Sequence, residues 1–404
     1  MVALLAWIFG SAVLTAAFAW AAALLSARPL VARRASHWTE RARYAFQARQ
    51  AVMTAAVLPP VFVAVYLAST SALGGAAAVL AVVVSFWASF PARIYVERRA
   101  MQRRVAALTW IRGRITWWLV MTPHLLVVLA LALVTPRELS AWSFAVLALA
   151  VIATAFAALG GTLWMARAVG LAAPASERLA RLIAESAARA GQGSPPGYEL
   201  DMPLANAFAW VHLGAVGVTR GALDALSDDE LSSVLAHELG HLAEPRSIAL
   251  VRSLGMLALA PLVLFLPLLV AQHFWAFGLV VLGMVATLRT VRLVARRMEE
   301  RADRTAHAAE GDPGTYARAL ATLYEANAMP AVMPGKRPVH PHLYDRLVSA
   351  GATPTWPRPA PPPVGGTRIV AIGCIAIPTF LAVLAAAAYI LLAVLGAVLE
   401  RLPP

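Results

Sequence analysis

Long apolar runs separated by short arginine-rich loops constrain this chain more than any other feature. Residues 2–25, 51–69, 73–91, 116–134 and 141–165 each come close to the ~20 residues a helix needs to cross a bilayer. Two further runs cover 254–288 and 369–398. With 60% hydrophobic and 14% charged residues over 404 positions, and a mean hydropathy of +0.70, a soluble globule has too little polar surface to cover its core. The run 254–288 is too long for one crossing: at 1.5 Å per residue it would extend roughly 50 Å, against ~30 Å of hydrocarbon. A helical hairpin turning near Gln272-His273 resolves that length. The expected fold class is mostly α, a polytopic membrane protein with about eight transmembrane helices.

Charge sets the orientation. The net charge of +13 is concentrated in two loops between apolar runs, Arg28, Arg33, Arg34, Arg41, Arg43 and Arg49, then Arg93, Arg98, Arg99, Arg103, Arg104, Arg112 and Arg114. That is the positive-inside bias of a membrane protein, not a groove-reading basic face, and no nucleic-acid partner is expected. Both loops then lie in the cytoplasm, the N-terminus lies outside, and the fifth span returns the chain to the cytoplasm before Arg167. The hairpin returns it again, ahead of Arg289, Arg292, Arg296 and Arg297. No basic residue precedes Val2–Leu25, so this run reads as a retained span rather than a cleaved leader. The single cysteine, Cys374, excludes an intramolecular disulfide and a multi-thiolate zinc site. His124, after Pro123, reads as a structural histidine at a kink. Near-exclusive use of arginine over lysine, with abundant alanine, points to a GC-rich bacterial genome and so to a bacterial inner membrane.

Within the cytoplasmic part stands Leu235-Ala236-His237-Glu238-Leu239-Gly240-His241-Leu242. Two histidines four residues apart share one helix face, and Glu238 sits beside the first. This is the arrangement in which two neutral imidazoles hold a catalytic zinc and a carboxylate serves as general base. The helix has its own start signal: Ser227 and Glu230 form a capping box. Leu231, Val234, Leu235, Leu239 and Leu242 give it an apolar face. The motif therefore belongs to a packed helix of a zincin-type domain.

A third ligand has to return to the same side of the membrane, which the two crossings of the hairpin permit. The helical stretch Val294 to Arg304 offers two glutamates. Glu300 has Arg296 and Arg304 four residues away on either side, as on a solvated face. Glu299 instead has Asp303 at i+4, a like-charge pair that becomes sensible beside a cation. Glu299 is the expected third zinc ligand, with Asp303 orienting a ligating histidine.

At this point a family resemblance is carried by the residues. Asn206-Ala207-Phe208-Ala209, then Val216 to Leu223, then the HELGH helix, then Glu299 followed by Asp303 occur in the order seen in membrane-embedded zinc endopeptidases. The chain resembles the HtpX-like heat-shock proteases and the CAAX prenyl endopeptidases over roughly residues 166–347. Five spans before the motif look more like the CAAX-type layout, while an eighth span and a proline-rich linker depart from both. The resemblance implies one catalytic Zn2+ on His237, His241 and Glu299, with Glu238 as general base. It also implies that Asn206, Ala207, Phe208 and Ala209 form a small β edge pairing with extended substrate. His340-Pro341 through Arg346 is similar to the family's later His-Pro…Arg segment, which brings His340 and Arg346 to the active site. There His340 would steady an oxyanion and Arg346 a carboxylate, although His342 competes with His340 for the role.

The expected organisation follows. Residues 1–165 form a five-helix membrane region, 166–253 and 289–350 the two parts of the protease domain, and 254–288 the intervening hairpin. Residues 351–367 are a proline-rich linker and 368–404 a last helix. The expected activity is zinc-dependent hydrolysis of membrane-associated proteins or peptides, serving quality control or dedicated processing. A signal transducer would need an outer sensor domain, for which the loops leave no room. A transporter or scaffold would need more intramembrane polar groups than His124 supplies.

Overall fold

A computed structural model describes residues 2–33, 36–68, 72–101, 105–334, 342–349 and 352–363. The chain divides into two compact units, one built from residues 1–28, 47–96 and 363–404, the other from 29–46 and 97–362.

The first unit is helical. It takes most of α1 (Val2–Ala32), α2 (Trp38–Ala68) and α4 (Phe90–Ala100) and all of α3 (Ala72–Ala88), residues 29–32, 38–46 and 97–100 belonging to the second unit. Their contacts use small side chains: Ala19, Ala23, Ala51, Ala55, Ala78 and Ala81 are buried, which lets the backbones approach closely. The Ser11 and Ser85 hydroxyls hydrogen-bond across the packing at 2.8 Å, satisfying two polar groups that lipid could not.

The second unit begins with α5 (Ala107–Met121), α6 (Pro123–Val134), α7 (Ala141–Ala158) and α8 (Gly161–Ala168). Next come β1 (Ala172–Pro174), α9 (Glu177–Arg189), β2 (Gly197–Leu200), β3 (Ala207–Trp210), β4 (Ala215–Thr219) and α10 (Arg220–Ala225). The motif helix is α11 (Asp228–Leu242), followed by α12 (Arg246–Leu257), α13 (Phe265–Val270), α14 (Phe274–Ala308), α15 (Thr315–Ala326) and α16 (Leu343–Ser349). The strands form one sheet in the order β1-β2-β4-β3. Strands β2 and β4 run parallel, while β1 and β3 pair antiparallel at the two edges.

The sheet has a core on each face because its side chains alternate. Val216, Val218 and Ala207 pack with Leu231, Val234 and Leu235 of α11 and with Leu179, Leu182 and Ile183 of α9. On the other face Leu200 and Met202 pack with Val120 of α5 and Leu163 and Ala166 of α8, flanked by Trp117, Phe208 and Trp210. Gly217 is forced by this second layer: a Cβ there would lie 2.3 Å from the Trp210 ring.

Among the described residues six helices are long and apolar enough to cross a membrane, Leu4–Ala32, Trp38–Leu67, Gly74–Ala100, Ala141–Ala158, Ser247–Val270 and Phe274–Ala308. The expected hairpin turns at Ala271–His273, where Gln272 adopts a φ of 55°. The expected run 116–134 is not one straight helix. α5 and α6 meet at Thr122 with a bend of 81°, because Pro123 lacks the N–H and its ring blocks continuation of the preceding turn. The expected run 141–165 likewise ends early, at Ala158, and restarts as α8 after Gly160 at φ 93°. The final apolar run 369–398 lies outside the described residues. The proline-rich stretch is not a free tether: Trp356 packs on Trp38 and Tyr344, and Arg43 donates to the Pro361 carbonyl.

Candidate metal centre

Helix α11 starts as its sequence requires. The Ser227 hydroxyl accepts from the Glu230 N–H at 3.3 Å, and the Glu230 carboxylate accepts from the Ser227 N–H at 3.0 Å. From Leu231 to His241 every residue is buried, so the helix runs through the middle of the unit with the sheet on one side and α14 on the other.

The crossing with α14 is tight at Gly240. A Cβ there would lie 2.9 Å from the Ala302 Cα and 3.2 Å from the Thr305 side chain. That approach delivers Glu299, one turn before Ala302, to both histidines. The Glu299 carboxylate oxygens lie 3.6 Å from His237 Nε2 and 3.6 Å from His241 Nε2. One ligand atom from each of the three falls within 4.8 Å of the others. Zinc with ligands at ~2.0–2.1 Å in a tetrahedron places neighbouring donors about 3.3–3.4 Å apart, so donors up to 4.8 Å apart would draw together by up to about 1.4 Å around the ion. The donor set of two imidazoles and one carboxylate fits zinc with a position left open. Burial, then the neighbouring His237, push the His241 pKa down to about 4, so its ring is neutral at pH 7 and keeps a lone pair for a cation. Glu238 is buried on the same helix.

Behind His237 lies a buried polar network. Its Nδ1 is 2.7 Å from the Tyr316 hydroxyl and 3.1 Å from Asp303 Oδ1. The hydroxyl donates to Asp303 at 2.7 Å and accepts from Arg346 at 2.8 Å. The Arg346 Nε donates to Asp303 Oδ2 at 3.0 Å, and its terminal nitrogen reaches Oδ1. Tyr316 has one proton and two lone pairs. All are used when His237 Nδ1 carries hydrogen and donates to the hydroxyl. That tautomer leaves His237 Nε2 bare, facing Glu299. Complete burial raises the Tyr316 pKa, keeping the proton on the phenol. Burial would lower the Arg346 pKa, yet Tyr316 and Asp303 outweigh it and hold the guanidinium charged.

A second staple joins the two ligand helices. Just past α11, Glu244 accepts from Arg301 of α14 through both oxygens, at 2.8 and 2.7 Å. Glu300 faces the solvent side, where Arg296 reaches its carboxylate at 3.2 Å and Arg304 its backbone carbonyl.

The structure thus brings together His237, His241, Glu299, Asp303 and Arg346. Ala207, Phe208 and Ala209 lie on β3, an edge of the sheet in contact with α11. Asn206 sits just before it, with its N–H and C=O both engaged by the Thr219 hydroxyl. His340 lies outside the described residues. The His342 ring accepts from the Met333 N–H at 3.0 Å, which gives it a structural task. Sequence reasoning missed Tyr316, Glu244 and Arg301. A lone tyrosine near the start of a helix carries no spacing signal, and the Glu244–Arg301 pair spans 57 residues.

Residues 173–353 match the family described as peptidase family M48. The chain is 31% identical over 200 residues to a protease HtpX homolog of Trichormus variabilis, covering 42% of this chain and 68% of that relative. A protease HtpX homolog of Acaryochloris marina is 31% identical over 175 residues, covering 39% and 58%. One of Ralstonia pickettii is 30% identical over 159 residues, covering 36% and 54%.

Proposed function

The chain belongs to peptidase family M48, among the HtpX-like membrane metalloendopeptidases, and from that premise we propose that His237, His241 and Glu299 hold one catalytic zinc with Glu238 as the general base. The observation that carries this reading is the convergence of the three ligand atoms within 4.8 Å, with Glu238 beside them on α11. When bound, zinc supplies Lewis acidity, drawing the pKa of water toward ~7 and polarising a carbonyl. Glu238 takes the proton of the attacking water and passes it to the departing amine nitrogen. Tyr316 and Asp303 keep His237 in the Nδ1–H tautomer, and Arg346 holds Asp303 in place. Edge strand β3, whose outer side pairs with no strand among the described residues, takes an extended substrate main chain to main chain, and His340, or in its place His342, steadies the oxyanion.

The arginine distribution supports a site on the cytoplasmic face of a bacterial inner membrane. Substrates on this reading are membrane-associated proteins or peptides, cut for quality control or for dedicated processing. The test compares new peptide termini in membranes containing the wild type or Glu238→Gln. We expect new termini only with the wild type and equal zinc in both purified proteins. Equal termini from both would reject the role of Glu238, and a wild type that binds no zinc would reject the metal site.

A further inference from the structure

Helices α5 and α8 lie side by side under the sheet, and each has two dissimilar faces. On α5, Trp110, Gly113, Thr116 and Val120 are buried, while Leu108 and Ile115 are exposed at 67% and 37%. On α8, Thr162, Leu163 and Ala166 are buried, while Trp164, and Val169 just past its end, are exposed at 67% and 62%. The inner faces belong to the core beneath Leu200 and Met202. The outer faces mix apolar side chains with Thr109 and Arg112 on α5 and Arg167 on α8, all exposed.

Their connections explain what such faces meet. α6 and α7 pack on each other and are joined only by residues 135–140. The start of α6 and the end of α7 are therefore at the same end of that pair. α5 leaves there through the 81° bend, and α8 leaves through Gly160. α7, which packs on α8, also exposes apolar side chains, Ile152 and Phe156, with Leu159 just past its end.

Edge strand β3 is tied to this layer at both ends. Before it, Asp201 accepts from Arg112 of α5 at 2.7 Å, the Asp201 carbonyl accepts from Thr116 at 3.2 Å, and a Cβ on Gly113 would strike Pro203 at 2.3 Å. After it, Leu213 sits on Gly160 so closely that a Cβ there would lie 2.5 Å away. His212 also hydrogen-bonds Ser253 of α12 at 2.7 Å.

We propose that α5 and α8 form a platform seated in the headgroup layer of an anionic phospholipid bilayer, so that β3 runs along the membrane surface. Helices that set exposed apolar side chains beside arginine settle at that depth, where the chains reach the acyl boundary and the guanidinium the headgroups. The 81° bend then marks where the chain turns from lying on the membrane to entering it. A consequence for substrate rests on the peptidase reading above: the segment that reaches β3 lies within the interfacial layer, next to a membrane anchor. The platform itself does not depend on that reading.

The test uses the unaltered full-length protein in phosphatidylethanolamine–phosphatidylglycerol vesicles carrying a phospholipid with a diazirine at headgroup depth. Illumination should place adducts on residues 107–121 and 161–170 and leave α9 unlabelled. Adducts on α7 with none on α5 and α8 would overturn the proposal. Nitroxides at Leu108→Cys and Trp164→Cys, in a Cys374→Ala background, supply a second reading. Their collisions with aqueous chromium oxalate should fall several-fold below those at Ala184→Cys on α9, and equal collisions would overturn the platform. Neither readout needs hydrolysis, so an inactive enzyme with a labelled platform would reject only the peptidase reading.

Discussion

Helices α11 and α14 meet tightly at Gly240, so Gly240→Ala tests whether that contact sets the geometry of the proposed metal site. The new methyl would lie 2.9 Å from the Ala302 Cα, where ordinary contact begins at 3.4 Å, so α11 and α14 must separate by 0.5 Å (3.4 − 2.9). Zinc sites tolerate about ±0.2 Å in ligand placement, less than half of that displacement. Two energetic effects oppose one another in the fold. Alanine favours the helix over glycine by about 1 kcal/mol, while overpacking costs about 1–3 kcal/mol. Net stability should therefore lie between unchanged and about 2 kcal/mol lower. Zinc affinity should fall by about tenfold or more, the scale of a disturbed supporting contact. Competition with a chromophoric chelator measures the affinity, and denaturant unfolding of the metal-free protein measures the stability. Wild-type zinc affinity in a Gly240→Ala protein of reduced stability would refute the argument, since α14 would then have yielded without carrying Glu299 away.

Four further outcomes are expected. Glu238→Gln should retain zinc and lose at least about 10²-fold in hydrolysis, read by peptide turnover against bound metal. Tyr316→Phe removes the hydroxyl between His237 and Asp303 and should weaken zinc about tenfold while costing about 1–2 kcal/mol, since Asp303 remains 3.1 Å from the His237 Nδ1. Stripping the metal with a chelator should abolish activity and lower stability by about 4 kcal/mol relative to protein held at zinc a thousandfold above its Kd. The Glu244–Arg301 pair should be asymmetric, because the glutamate side chain is 2% exposed and the arginine 40%. Arg301→Ala leaves a buried carboxylate alone and should cost up to about 3 kcal/mol, whereas Glu244→Ala leaves an arginine that can turn to water and should cost less, as urea unfolding will show.

The fold and the site were legible to different depths. Composition and the length of apolar runs are local quantities, so the membrane class and the hairpin turn near Gln272 could be read directly. The capping box at Ser227 and the i, i+4 pair His237 and His241 are equally local, because 3.6 residues per turn fixes which side chains share a face. The contrast between Glu299 and Glu300 was readable for the same reason: each glutamate's i±4 neighbours show whether it is balanced. The bend inside the run 116–134 was not legible, because hydropathy sums side chains and overlooks what Pro123 does to the backbone.

What tertiary structure alone decided are the pairings between distant segments. No spacing rule places Tyr316 beneath His237, joins Glu244 to Arg301, or seats Pro203 on Gly113, since each depends on how separate helices cross. Sequence determined that this chain enters a membrane and carries the chemical groups of a zinc peptidase. Packing decided the distances between those groups, because a metal site is assembled to tenths of an ångström by helix crossings, and those depend on shapes that become neighbours only after folding.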